Sequence, residues 1–192
     1  MFLLRLMFVA SLFPLYASAG SLSGVNAGVT PYACTDTGAQ YLLAYDSHPK
    51  RQGWGAFGGG PKGDETARQT ALRELYEETN CVFDKETLRT LKLKGPSKSG
   101  RFYSYVAEVP FFLLTDISAP RTCRDVERSQ WIWIPHESLI EGLNRADSSP
   151  VIVIPGQQEF RFPLWRGAAK SLRNSLADGF LTVGDPCPRS DF

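Results

Sequence analysis

Three glutamates stand within five positions of the stretch ALRELYEETN, residues 71–80. If the stretch is helical, Glu74, Glu77 and Glu78 share one face, with neighbouring Cβ atoms about 5–6 Å apart. Like charges at that spacing repel one another and destabilise a helix, and bound cations would neutralise this repulsion. Hard divalent cations prefer carboxylate oxygens. The spacing therefore predicts a site for Mg²⁺ or Mn²⁺, which would bridge the protein to an anionic substrate such as a diphosphate.

A carboxylate-bound metal ion defines the chemistry that these residues could perform. The ion can polarise a phosphoryl oxygen and generate a nucleophilic hydroxide from water. A glutamate that is not fully committed to the metal can accept the proton of that water. We expect Glu77 to lie nearest the water. The alternative is a solvated helix face that carries charge and no chemistry.

The glutamates belong to a longer pattern that begins in a glycine-rich segment. It runs through GGGPKGDETARQTALRELYEETNC, and its defined positions are Gly59, Glu65, Arg73, Glu74, Leu75, Glu77, Glu78 and Cys81. This pattern resembles the Nudix hydrolase signature, which is G, five residues, E, seven residues, then R-E-U-x-E-E-x-G-U with U apolar. Asn80 stands where the family has Gly, and every other defined position matches.

The resemblance implies a metal site built from the helix and from the glycine-rich segment. Glu74, Glu77 and Glu78 would be the ligands. The family commonly adds a backbone carbonyl just before the first signature glycine, which here is that of Gly58. Gly58 and Gly59 would let the backbone come close to the metal and the phosphates.

The resemblance also implies roles for residues that surround the metal ligands. An ion pair between Arg73 and Glu65 would tie the glycine-rich segment to the helix and orient the glutamates. Family members often add an acid from a later loop. Asp125 and Glu127 are both candidates, and Glu127 fits better because it lies four residues before Trp131. A solvated loop charge is the alternative for Glu127.

The activity that the resemblance implies is hydrolysis of the pyrophosphate bond of a nucleoside diphosphate linked to another moiety. An ADP-ribose-like substrate is one candidate, because Pro96 follows Cys81 by the spacing seen in ADP-ribose-cleaving members; a simple turn also explains this proline. The second hypothesis is a catalytically weak Nudix-like module that binds a nucleotide or a protein. It is motivated by Phe57, Asp64 and Asn80, which depart from the family pattern.

Outside the signature, the sequence allows two interpretations for each residue that could contact substrate. Aromatic residues near the expected cleft could stack on a base or belong to the core: Tyr45, Trp54, Phe102 and Tyr103. Basic residues that could contact phosphate or remain solvated are Lys50, Arg51 and Lys62.

The elements that position these residues follow from local patterns. Strands are predicted at 27–34, 39–47, 54–57, 87–95 and 102–112, with another that ends at Pro135. A helix is predicted from Thr66 to Thr79, because Thr66 and Gln69 form a capping box, and an amphipathic helix ends near Gly179. Strands around helices in this order, together with the resemblance, predict an α/β fold, a Nudix-like α/β/α sandwich with a mixed β-sheet.

The first 19 residues read as a secretory signal peptide. They contain one charge, Arg5, a short apolar stretch and the sequence Ala17-Ser18-Ala19 before Gly20. A buried helix or a membrane anchor is the alternative. Cleavage would leave a Nudix hydrolase domain over residues 20–192, exported to a periplasm or secreted, with no membrane association.

Charge and composition limit the partners of the mature chain. The full chain has 21 basic and 20 acidic residues, so loss of Arg5 leaves it formally neutral. No nucleic acid polymer is expected from that balance, and the expected partner is a small-molecule nucleotide derivative. The oligomeric state is open.

If the chain is exported, its cysteines can form disulfides. Cys34, Cys81, Cys123 and Cys187 are an even number, which allows two disulfides in three pairings. Cys34, Cys123 and Cys187 are favoured as members of a disulfide, because they lie in or near loops and the tail. Cys81 occupies an apolar position and is interpreted as a small buried hydrophobe.

Overall fold

The computed structural model describes residues 22–118 and 128–187. Its β-strands are β1 (Asn26–Thr35), β2 (Gly38–Asp46), β3 (Gly53–Gly55), β4 (Phe57–Gly59), β5 (Lys94–Ser99), β6 (Phe102–Glu108), β7 (Trp131–Pro135), β8 (Val151–Ile152) and β9 (Phe162–Pro163). Its helices are α1 (Ala67–Glu78), α2 (Lys85–Thr90), α3 (Leu114–Ser118), α4 (His136–Asn144) and α5 (Arg166–Ala177). The predicted signal peptide, residues 1–19, lies outside the described residues.

Seven strands form one mixed sheet. The strand order is β3-β2-β1-β6-β5, with β4 paired to β1 and β7 paired to β2. The β1–β6 pair is parallel, whereas the other pairs in this sheet are antiparallel. Helices cover both faces of the sheet, so the predicted α/β sandwich with a mixed sheet is confirmed.

Strand β2 shows why both faces need a helical layer. Successive side chains of a strand point to opposite faces. Tyr41 and Leu43 enter one apolar core, which includes residues of α4 and α5. Leu42 and Ala44 enter a second core, which includes residues of α1. A strand that is apolar on both faces must be buried on both, and this one is.

Helix α1 forms where the sequence predicts it. The Thr66 hydroxyl accepts the Gln69 N–H, and the Gln69 side chain accepts the Thr66 N–H, which completes the capping box. Ala67, Ala71 and Leu75 pack against the sheet. The capping box and this apolar stripe fix the rotation of α1, and with it the direction of the glutamates.

The other end of α1 explains the departure at Asn80. Asn80 adopts φ 50°, the left-handed conformation that the family's glycine would suit and that Asn tolerates. Its side-chain amide donates to the carbonyl of Ile117 at 2.8 Å. The replacement thus keeps the helix end and adds a contact to α3.

Two of the sequence expectations were wrong in detail. Residues 87–90 belong to helix α2, not to a strand, because Asp84 caps the helix and Leu88 and Leu91 share one buried side three residues apart. The strand expected at 54–57 is two short strands, β3 on β2 and β4 on β1. Gly58 and Gly59 are therefore paired strand residues.

A disulfide joins Cys34 and Cys187. Both belong to the three cysteines that the sequence favoured as members of a disulfide. The bond ties the tail to β1, and the Asp185 carboxylate accepts the Ala39 N–H beside it. Cys81 is also disulfide-bonded, so its interpretation as a simple buried hydrophobe was wrong. Cys123 lies outside the described residues. Within the described ranges, no helix is long and apolar enough to cross a membrane.

Candidate active site

The glutamates of α1 face the glycines of β4. Glu78 is almost fully buried, and Glu74 is buried as well, so the solvated-face alternative does not describe them. The Gly58 N–H donates to Glu78 Oε2 at 2.8 Å. A Cβ added to Gly59 would lie 2.6 Å from Glu74 Oε1, so a side chain there would displace the Glu74 carboxylate from its present position. The two glycines thus let the strand backbone lie directly against the carboxylates.

Burial perturbs the ionisation of Glu78. Desolvation raises its pKa to about 7, and the nearby charge of Glu74 acts in the same direction. Arg128 and the Gly58 N–H oppose this rise, because both stabilise the carboxylate. A divalent cation bound to Glu78 would favour its ionised form, as Arg128 and the Gly58 N–H do.

Arg73 joins the acids of the signature. Its Nε lies 2.8 Å from Glu65 Oε1, and its Nη1 lies 2.7 Å from Glu74 Oε1 and 2.8 Å from Glu77 Oε2. Its Nη2 donates to the Gly60 carbonyl at 2.6 Å. The ion pair that the resemblance implies between Arg73 and Glu65 is therefore present. The same guanidinium also balances the charge of two of the three helix glutamates.

The donor groups of this cluster are of the chemical type that a hard divalent cation prefers. Carboxylate oxygens of Glu74, Glu77 and Glu78 lie on one helix face next to a glycine strand, and such oxygens suit Mg²⁺ and Mn²⁺. In the described part of the chain, however, no three acids converge into a metal-binding group. Their charges are instead balanced by Arg73, Arg128 and Lys62, whose Nζ lies 3.0 Å from Glu77 Oε1. The metal roles of the three glutamates and of Gly58 remain predictions.

Two residues that the sequence did not single out lie at the centre of the site. Arg128 Nε lies 2.7 Å from Glu78 Oε1, and Arg128 Nη1 lies 2.8 Å from Asp46 Oδ2. The signal for this contact is long-range, since it depends on β2 pairing with β7, which brings Asp46 and Arg128 together. The predicted later acids, Asp125 and Glu127, lie outside the described residues.

A cleft of about 340 Å³ shares Gly58, Gly59 and Arg128 with the surroundings of the glutamate cluster, although the three glutamates do not themselves line it. Its lining includes the glycines Gly58, Gly59 and Gly60, the charged residues Asp46, Arg51 and Arg128, the aromatic residues Phe102 and Trp165, and the α5 residues Ala168, Ser171 and Leu172. The sheet and α5 therefore form its walls. The cleft can hold a small ligand whose anionic part reaches the glycines.

The structure separates the candidate substrate contacts. Phe102 and Arg51 line the cleft, with Arg51 paired to Asp46 at 2.9 Å. Trp54 and Tyr45 instead pack edge to face at the core, with ring centroids 5.6 Å apart. For these two residues, the core alternative therefore applies, and not stacking on a base. Lys62 contacts Glu77. Pro96 lies in β5 and is not among the residues that line the cleft.

Comparison with known proteins gives the class of the chain. A NUDIX domain model matches residues 25–153, which is more than half of the chain. The chain therefore belongs to the Nudix family, and its class is that of the pyrophosphohydrolases. No curated protein sequence matches significantly.

Solved structures with similar folds include three Nudix proteins. The Ap4A hydrolase of C. elegans is 21% identical over 60% of this chain and 83% of its own, with a TM-score of 0.45. The Nudix hydrolase RenU of M. smegmatis is 14% identical over 82% of this chain and 95% of its own, with a TM-score of 0.46. A MutT/nudix family protein of Enterococcus faecalis is 15% identical over 80% of this chain and 62% of its own, with a TM-score of 0.48.

Proposed function

We propose that the chain is an exported, metal-dependent enzyme that hydrolyses the pyrophosphate bond of a nucleoside diphosphate linked to another moiety. The observation that carries this proposal is the burial of two carboxylates, Glu74 and Glu78, against the glycines of β4, which also line a ligand-sized cleft. Buried charges in proteins form ion pairs or coordinate metal ions. Glu74 and Glu78 are buried next to glycines that line a cleft, which is where a metal ion could meet a substrate.

In the proposed reaction, the helix glutamates bind the metal ion and one of them accepts a proton. Glu74, Glu77 and Glu78 would hold Mg²⁺ or Mn²⁺, with the carbonyl of Gly58 as a further donor. The bound metal would supply charge stabilisation for the phosphates and a more acidic water. Glu77 is proposed to accept a proton from the water, because it is the most exposed of the three glutamates.

The surrounding residues orient the substrate and the ligands. Arg73 and Glu65 tie the segment after β4 to α1, and Glu127 is proposed as a further acid from the later loop. Of the aromatic residues that line the cleft, Phe102 is proposed to stack on the nucleobase. The ADP-ribose-like substrate is one candidate among nucleoside diphosphate derivatives.

The activity is tested with the mature chain, residues 20–192, and a panel of nucleoside diphosphate derivatives that includes ADP-ribose and a dinucleoside polyphosphate. With Mg²⁺ or Mn²⁺, we expect phosphorylated products by mass spectrometry. Glu77→Gln should lose most of this turnover, whereas Glu86→Gln, on an exposed side of α2, should retain it. No turnover by the wild type, or equal turnover in Glu77→Gln, would contradict the proposal.

A module that binds without turnover is the second candidate. It is favoured by the ion pairs that Arg73 and Arg128 form with Glu74 and Glu78, because these cations occupy carboxylate oxygens that a metal ion would need. Calorimetry separates the two functions. Binding of a nucleoside diphosphate derivative with no product after long incubation supports the module, and turnover excludes it.

Export is supported by the disulfide between Cys34 and Cys187, because such bonds persist in oxidising compartments. Cleavage before Gly20 is the proposed processing step. The intact mass of the chain recovered from a secreting host tests it, and the expected N-terminus is Gly20. A recovered chain that retains residues 1–19 would refute it.

A further inference from the structure

Arg128 is the cation that contacts the most buried glutamate of the cluster. Its Nε lies 2.7 Å from Glu78 Oε1, and the two side chains are 8% and 2% exposed. We propose that Arg128 is a positioning residue, which fixes the carboxylate of Glu78 for metal binding and does not itself bind substrate. This inference rests on the proposed function, because it concerns the same site.

Glu78 is held from two sides through both of its oxygens. The Gly58 N–H donates to Oε2 at 2.8 Å, and Arg128 donates to Oε1. Each carboxylate oxygen has two lone pairs, so these contacts set the plane of the carboxylate and leave acceptor sites free. Without Arg128, the single bond from Gly58 would leave the carboxylate able to turn about its axis.

Arg128 is itself fixed by a second acid. Its Nη1 lies 2.8 Å from Asp46 Oδ2, and the His48 N–H donates to Asp46 Oδ1 at 2.9 Å. Arg51 pairs with the same Asp46 from the exposed side. The rigid fork of Arg128 thus reaches two acids with two different nitrogens, which the single ammonium of a lysine does not reproduce.

The contacts of Arg128 argue against a direct role in substrate binding, although it lines the cleft. Its Nε and Nη1 are both committed to buried carboxylates. Residues that orient a metal ligand typically change metal affinity by about 10–100-fold when they are replaced. Loss of Arg128 should therefore weaken metal binding and kcat, while KM for the substrate stays within about twofold.

The test measures Mn²⁺ binding by calorimetry in the absence of substrate, followed by kinetics. Arg128→Lys keeps a charge and is expected to bind Mn²⁺ about tenfold more weakly, and Arg128→Gln more weakly still. Arg89→Gln is the matched control, because Arg89 pairs with Glu86 at an exposed position. It should bind Mn²⁺ as the wild type does.

Two results would overturn the positioning role. One is wild-type Mn²⁺ affinity in folded Arg128→Lys. The other is a raised KM with unchanged Mn²⁺ affinity, which would mean that Arg128 contacts substrate. If both Arg128 variants fail to fold, Asp46→Asn loosens the tether of Arg128 instead; a severalfold loss of Mn²⁺ affinity supports the role, and unchanged affinity overturns it.

The outcomes of this series are distinct from a failure of the proposed function. If the wild type binds Mn²⁺ but turns over no substrate, the hydrolase proposal fails, and the binding series still decides the role of Arg128. If the wild type binds no Mn²⁺, both the metal site and the positioning role are refuted. If the wild type turns over substrate and Arg128→Lys binds Mn²⁺ as the wild type does, only the positioning role is refuted.

Discussion

Replacement of Arg73 by Gln is the most direct perturbation of the charge balance in the glutamate cluster. Arg73 lies within 2.7–2.8 Å of oxygens from Glu65, Glu74 and Glu77, and its side chain is 16% exposed. Gln would remove a positive charge that these three acids share and leave their mutual repulsion in place. The variant should therefore be less stable than the wild type when no metal is present.

The magnitude follows from the burial of these contacts. Removal of one partner from a buried ion pair costs about 3–5 kcal/mol, whereas exposed pairs contribute about 0–1 kcal/mol. Arg73 and its partners are 12–19% exposed, so the lower part of the buried range applies. We expect a loss of about 3 kcal/mol, which for a chain of this size is a fall of roughly 6–12 °C in Tm.

Mg²⁺ should restore part of this loss. If the glutamates bind the cation, its two positive charges replace the charge that Arg73 supplied. Scanning calorimetry of wild type and Arg73→Gln, without reductant, in EDTA and in millimolar MgCl₂ measures the effect. The Tm of both should rise with Mg²⁺, and the gap between them should narrow.

Two results would refute this reasoning. Equal Tm of Arg73→Gln and wild type in EDTA would show that Arg73 does not balance the acids. A gap that is the same in EDTA and in MgCl₂ would show that the metal does not bind at these glutamates. Arg89→Gln is the control for loss of an arginine, and no change in Tm is expected because its pair is exposed.

Three further predictions concern the tail, the cleft and the end of α1. Replacing both Cys34 and Cys187 by Ser should lower the free energy of unfolding by roughly 2–5 kcal/mol in chemical denaturation, because their disulfide closes a 153-residue separation; an unchanged midpoint would contradict this. Phe102→Ala should raise KM severalfold with little change in kcat, and an unchanged KM would remove Phe102 as a stacking residue. Asn80→Gly restores the family residue yet should destabilise the chain by about 1 kcal/mol in the same denaturation assay, because it deletes the hydrogen bond to Ile117; a more stable variant would refute this.

Local signals in the sequence were sufficient for the parts of the fold that depend on neighbouring residues. The capping box of Thr66 and Gln69 and the apolar stripe on α1 are contained within this one helix and its N-cap. The direction of the glutamates follows from that stripe, because opposite faces of a helix are fixed by its period. The burial of both faces of β2 likewise follows from its near-continuous apolar sequence.

The parts that could not be predicted depend on which strands pair. Gly58 and Gly59 read as loop residues, since nothing local shows that β4 lies on β1. Arg128 was not singled out by the sequence, because its contact with Glu78 spans fifty residues and needs β7 to lie beside β2. Residues 87–90 were misassigned because a short alternation of leucines fits a strand and a helical turn equally well, and the cap at Asp84 decided between them.

The two arginines of the site balance the same cluster under different physical conditions. Arg73 is partly exposed, so water can solvate it if a metal ion displaces it from Glu74 and Glu77. Arg128 is buried with Glu78, and moving it away would leave both charges desolvated and unpaired. A bound cation is therefore expected to exchange with Arg73 and to coexist with Arg128, so that metal should reduce the effect of the Arg73 substitution far more than that of the Arg128 substitution.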